Sequence, residues 1–163
     1  MIIKQITLKN YRRFRDLSLE FSENLHGLIG ANGAGKSTII EAIAWALYGS
    51  RAARGPKTEI RSEAAPPQEP CEVELLFEIT GDVYRIHRKL KGKNATAEAV
   101  IYGVDDLPLA VQEQGVNQFV ESLIGLDYRS FFASVFARQK DLAALGEMLS
   151  LIHISEPTRP LDI

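Results

Sequence analysis

Between Gly30 and Thr38 the chain reads G-A-N-G-A-G-K-S-T. This run satisfies G-x-x-x-x-G-K-[ST] at Gly30, Gly35, Lys36 and Ser37, and the chemistry those residue types can do at that spacing is phosphate binding. Gly33, Ala34 and Gly35 are small enough for the backbone to curl with its N–H groups turned inward around a phosphate. Lys36 can reach the β- and γ-phosphates of a nucleotide as a point charge, and the Ser37 hydroxyl can ligate Mg²⁺. A helix beginning here, at Lys36-Ser37-Thr38, would add the positive end of its dipole. ATP and Mg²⁺ are the expected ligands.

Such a loop works only between a strand and a helix. Ahead of it Leu25, Leu28 and Ile29 form a short apolar run that suits a buried strand. Behind it K-S-T-I-I-E-A-I-A-W-A-L-Y-G sets Ile39, Ile40, Ile43 and Leu47 on one helical face, with Gly49 as the stop and Trp45 as packing. Residues 2–9 read as a strand, and F-R-D-L-S-L-E-F alternates with Leu17, Leu19 and Phe21 inward. Residues 51–70, rich in Ala, Pro and charge, read as a surface loop. E-V-E-L-L-F-E-I, V-Y-R-I-H-R-K-L and T-A-E-A-V-I-Y, separated by T-G-D and K-G-K-N turns, predict an antiparallel meander. Val116, Phe119, Val120, Leu123 and Ile124 fit an amphipathic helix, and a second helix is expected near Asp127, whose side chain can cap it. The fold class is α/β, a mixed sheet with a substantial antiparallel part.

Composition sets the outer bounds. A chain of 163 residues with 45% hydrophobic and 25% charged residues suits one soluble globular domain. A net charge of −2 gives no basic footprint from which to argue nucleic-acid binding. Cys71 stands alone, which excludes an internal disulfide or a Cys-pair metal site in this chain. No apolar run approaches membrane-spanning length and the first ten residues lack a signal-peptide layout, so a cytoplasmic protein without a membrane partner is expected. Arg85, Arg88, Lys89, Lys91 and Lys93 form a basic cluster across a strand and turn, read as a solvated hairpin tip with DNA phosphates as the alternative. His26 and His87 have no partners at metal spacing and read as structural.

The opening I-T-L-K-N-Y-R-R-F-R-D, taken with the G-x-N-G-x-G-K-S form of the loop around Asn32, resembles the SMC-like DNA-repair ATPases of the SbcC type, whose heads are ABC-class P-loop ATPases. The resemblance runs from Met1 to about Met148 and implies an ABC-type P-loop NTPase lobe. F-F-A-S-V-F-A-R-Q-K-D-L-A-A-L resembles the family's Q-loop, which would make Gln139 a Mg²⁺ ligand that also positions the attacking water. Arg12 in N-Y-R-R-F matches a family arginine near the nucleotide, with Arg13 beside it as a further candidate. The same resemblance implies the partners: the C-terminal half of the same head, a second head closing on ATP, an SbcD-type nuclease, and DNA. In a bacterium the protein would be nucleoid-associated.

Other parts of such a head are not found. The segment nearest to a Walker B strand is I-Y-G-V-D-D, residues 101–106, but Gly103 interrupts it and Leu107-Pro108 follows. No L-S-G-G signature occurs. Residues 1–148 are therefore expected to be the N-terminal half of a head, inactive by itself. L-S-L-I-H-I-S-E-P-T-R, from Leu149 to Arg159, resembles an in-frame translation of a sequencing-library adapter, so residues 149–163 are assigned no function; the alternative is a genuine divergent tail. The sequence reads as the ATP-binding lobe of a repair ATPase that regulates a nuclease at DNA ends. Alternatives are a recombination or chromosome-structure ATPase of the RecF, RecN or SMC type, or a nucleotide-binding module that does not hydrolyse.

Overall fold

The computed structural model describes residues 1–22, 26–53, 55–66 and 68–134. Gln139 and residues 149–163 lie outside the described residues. Met1–Gly125 forms one compact unit, and Leu126–Ile163 is counted to a second.

Within the first unit, six strands make one antiparallel sheet in the order β2-β1-β3-β4-β5-β6. They are β1 (Ile2–Tyr11), β2 (Phe14–Glu20), β3 (Cys71–Ile79), β4 (Asp82–Lys91), β5 (Thr96–Tyr102) and β6 (Pro108–Val111). Alternation sets the faces, because successive side chains of a strand point to opposite sides. Ile6, Leu8, Val73, Leu75, Phe77, Ile86, Leu90 and Ile101 are all fully buried on one face. The other face carries charge in cross-strand pairs, among them Lys4–Glu78, Lys89–Glu72 and His87–Glu72. Thr80 and Gly81, both at positive φ, make the tight β3–β4 turn that the T-G-D signal predicts.

Helix α1 (Lys36–Tyr48) packs against β1, β3, β4 and α2 (Glu113–Ile124). From Glu41 to Tyr48 every residue of α1 is buried, so this helix is enclosed all round rather than on one stripe. Gly49 ends it at φ 62, donating its N–H to the Trp45 carbonyl, and Trp45 packs on Tyr11. Val116 and Val120 are the buried apolar positions of α2.

Three expectations need correction. Residues 26–30 form no strand: Leu28 is half-buried and Ile29 is 98% exposed. A buried strand needs neighbours to pair with, and the described sheet places none beside this run. Ile40, expected on the buried face of α1, is 39% exposed. The 51–70 stretch is not merely a surface loop. Two short 3-10 helices (Gly49–Ala52 and Lys57–Glu59) punctuate it, Ile60 is fully buried, and Arg61 bridges to Tyr11 at the end of β1.

The described part of the second unit contains α3 (Tyr128–Ser134). Asp127 caps it as expected, accepting the Ser130 N–H at 2.7 Å.

Candidate phosphate-binding site

The run Gly30–Thr38 leads directly into α1, and its backbone explains its glycines. Gly33 has φ 82 and Gly35 φ 102, conformations that residues with a Cβ rarely adopt. At Gly35 a Cβ would also lie 2.5 Å from the Phe14 ring and 3.0 Å from the Arg13 Cδ. The β1–β2 turn is therefore seated against the loop, which brings Arg12 and Arg13 to the start of α1. Gly35 is the N-cap and offers no side chain to the helix, nor does an acidic residue stand in the first turn. The positive end of the α1 dipole thus faces the loop without a first-turn carboxylate to offset it.

Lys36 folds back over the loop, its ammonium donating to the carbonyls of Gly30 at 2.6 Å and Ala31 at 2.9 Å. From there it can meet an anion lying in the loop's concavity. Ser37 and Thr38 follow on the first turn, and a hydroxyl donor set beside an ammonium suits a phosphate with its Mg²⁺. The residues present therefore fit a bound Mg-nucleotide.

Among the described residues, two clefts flank α1. One, of about 670 Å³, lies between the β1–β2 turn and the 58–64 segment, lined by Arg12, Arg13, Thr38, Thr58, Glu59 and Arg61 to Ala64. The other, of about 340 Å³, is largely apolar and lies beside residues 26–30; Phe21, His26, Leu28, Ile39, Ile40 and Ile43 line it with Lys36 and Ser37. Sequence reading missed the 58–64 wall altogether. Its one legible sign was Ile60, an apolar residue inside a polar loop.

Arg12 is fixed from both ends. Its backbone takes φ 51 and its N–H donates to the Ile60 carbonyl at 2.7 Å. Its guanidinium donates to Glu41 of α1 at 2.6 Å and to the Glu59 carbonyl at 3.3 Å. Partial burial works against the charge, but the hydrogen bond and attraction from Glu41 outweigh it and raise the Arg12 pKa.

The basic cluster does not form one patch. Arg88 is only 2% exposed and points to the core, where it donates to the Ala46 and Leu47 carbonyls and to Asn117. It cannot serve a DNA phosphate. Burial lowers its pKa to about 10, with Glu113 opposing. Arg85 pairs with Glu74 and Asp106 and lies over the Tyr102 ring, and Lys91 pairs with Glu98. Asp106 is thereby engaged on the β5–β6 turn, away from α1 and its loop in the order of the sheet. His87 pairs with Glu72, and His26 with Ser22.

With that geometry in view, residues 5–156 match the family model of an AAA domain, AAA_23. The chain belongs to this family. It is 34% identical over 162 residues to a DNA double-strand break repair Rad50 ATPase of Thermoplasma acidophilum, covering 98% of this chain and 17% of that protein. It is 31% identical over 148 residues to the SbcC component of the SbcCD nuclease of Deinococcus radiodurans, covering 86% and 16%. Among solved structures, the SMC head domain from Thermotoga maritima matches with a TM-score of 0.51 at 31% identity, covering 67% of this chain and 39% of that one. The chain thus spans about a sixth of the length of these curated relatives. The resemblance to SbcC-type heads and the ABC-type α/β fold expected from the sequence are both borne out. Among the described residues no helix is long and apolar enough to cross a membrane.

Proposed function

We propose that residues 1–148 are the ATP-binding N-terminal lobe of an SMC-like DNA-repair ATPase head. The observation that carries this reading is the glycine loop at the uncapped N-terminus of α1, with the Lys36 ammonium folded over it. In this reading the N–H groups of Gly30 to Thr38, Asn32 included, cradle the phosphates, and Lys36 neutralises their charge. Ser37 and, by family resemblance, Gln139 hold Mg²⁺, which would screen phosphate charge when bound. The cleft beside Arg12, Arg13 and the 58–64 wall takes the ribose and base.

The whole protein would hydrolyse ATP between two heads and control an SbcD-type nuclease at DNA ends. The likeness to a double-strand break repair ATPase and to the SbcC component of the SbcCD nuclease supports this. The C-terminal half of the head would cover Ile29, Ile40 and the apolar cleft, supplying the strand neighbour that residues 26–30 lack. Residues 149–163 would take no part. A second reading, a chromosome-structure ATPase, is favoured by the likeness to the SMC head. A C-x-x-C hook in the full-length gene would separate the two.

Calorimetric titration of Mg-ATP into the chain and its Lys36→Ala variant tests the nucleotide assignment. Binding is expected for the parent and a clear loss for the variant. Equal affinities would sink the assignment.

A further inference from the structure

Glu41 stands on α1 three residues after Thr38, and side chains three apart share one face of a helix. Thr38 lines the cleft beside the loop, and Glu41 accepts the Arg12 guanidinium that enters the same cleft. The Glu41 side chain is 7% exposed, the Arg12 side chain 21%. The carboxylate is thus nearly sealed from solvent, whereas the Arg12 side chain, which lines the cleft, keeps more exposure. The Arg12 backbone is independently pinned in the left-handed region by its bond to Ile60. A long arginine side chain carries rotamer freedom that a ligand would otherwise have to freeze.

We propose that Glu41 is a positioning residue for the nucleotide site, fixing the Arg12 guanidinium beside Thr38 before the ligand arrives. This rests on the nucleotide reading above. The helix that begins at the phosphate loop would then carry, one turn on, the anchor for the arginine on the opposite wall. Loop and arginine would keep their spacing because both are tied to α1.

A double-mutant cycle on Mg-ATP affinity in the full 163-residue chain tests it. Arg12→Ala and Glu41→Gln should each weaken binding about three- to tenfold, and the double variant should bind no worse than Arg12→Ala alone. A merely structural effect of Glu41 would appear equally in both Arg12 backgrounds. Losses that multiply in the double variant, or a Glu41→Gln chain that binds as tightly as the parent or tighter, would overturn the proposal. Should Glu41→Gln fail to fold, Arg12→Lys gives a second measurement. Lysine keeps the charge but lacks the planar fork that spans Glu41 and the Glu59 carbonyl. Its affinity should fall to that of Arg12→Ala, and full retention would count against Glu41. Lys36→Ala runs alongside: if it too binds normally, the nucleotide reading itself fails, whereas its loss with uncoupled Arg12 and Glu41 removes only this inference.

Discussion

Lys36 is one ammonium among many on the surface, yet its removal should be felt more than any other. Where a charged donor meets a phosphate in a preformed loop, its loss costs about 1.5–3 kcal/mol, roughly ten- to a hundredfold in affinity. The calorimetric comparison of Lys36→Ala with the parent reads this directly, with the melting temperature expected to hold because the Lys36 ammonium bonds to its own loop. At this scale the sequence was legible where a motif forces a backbone. Gly33 and Gly35 stand at positive φ because the loop needs them there, and the spacing that reveals them is local. Arg12 was legible through family resemblance alone. Glu41 and the 58–64 wall were not legible, since their roles arise from contacts between residues 29 and 47 positions apart, which no short pattern encodes.

Elements are held in place here by a few polar ties as well as by the apolar face. Arg88 links β4 to the last turn of α1 and to Asn117 of α2, so its truncation leaves the Ala46 and Leu47 carbonyls and the Asn117 amide without a buried donor. Arg88→Ala should destabilise the chain by about 2–4 kcal/mol, seen as a lower urea midpoint with an unchanged slope. A shift no larger than that of a surface substitution would show that α1 and α2 are held by apolar packing alone. Glu113 makes a second tie, accepting from the Ser50 N–H and hydroxyl and pairing with Lys57. Burial raises its pKa, but the bonds from Ser50 and Lys57 outweigh this and lower it below the usual carboxylate range. A depressed folded pKa means that the stabilisation is full above about pH 4.5 and is lost as pH falls through the folded value. Glu113→Gln should therefore flatten the acid limb of stability below about pH 4.5 while costing most at neutral pH. An unchanged acid limb would remove Glu113 from the account. Arg88 was grouped with the solvated cluster, although period-two alternation puts it in phase with Ile86 and Leu90 and apart from the outward Arg85, Lys89 and Lys91. The strand at Leu28 and Ile29 failed for the opposite reason. Apolar content predicts burial only where a neighbour exists, and β6 went unread because Pro108 at its start looks like a loop although an edge strand tolerates it.

At the scale of the molecule, the two ends of α1 differ. From Glu41 to Tyr48 the helix is enclosed by the sheet, α2 and the chain that follows, whereas its first turn borders the apolar cleft, with Ile29 and Ile40 exposed. An apolar patch beside a phosphate loop marks a surface for a partner, here the C-terminal half proposed above. Removing residues 149–163 should leave the melting temperature and Mg-ATP affinity unchanged, because the sequence there offers only a brief apolar run, Leu149 to Ile152 with Ile154. A clear drop would mark the segment as native structure. The more searching experiment supplies the proposed C-terminal half. The 163-residue chain should bind Mg-ATP weakly and not turn it over. Its loop supplies positive charge and hydroxyl ligands, but the two aspartates nearest to a Walker B pair, Asp105 and Asp106, sit out on the β5–β6 turn rather than on a strand leading to the loop. Binding energy alone does not lower the chemical barrier. Adding a separately expressed C-terminal half of a matching head should restore hydrolysis, cover Ile29 and reduce dye binding to the exposed apolar surface. In the restored head Lys36→Ala should abolish activity through lost ATP affinity, whereas Gln139→Ala should keep most affinity and lose turnover. Ile29→Asp should prevent assembly without touching the folding of the lobe, since that side chain contributes nothing to the lobe's own core. Steady turnover by the purified chain alone that depends on Lys36 would overturn the half-site reading and return Asp105 and Asp106 to consideration as catalytic acids.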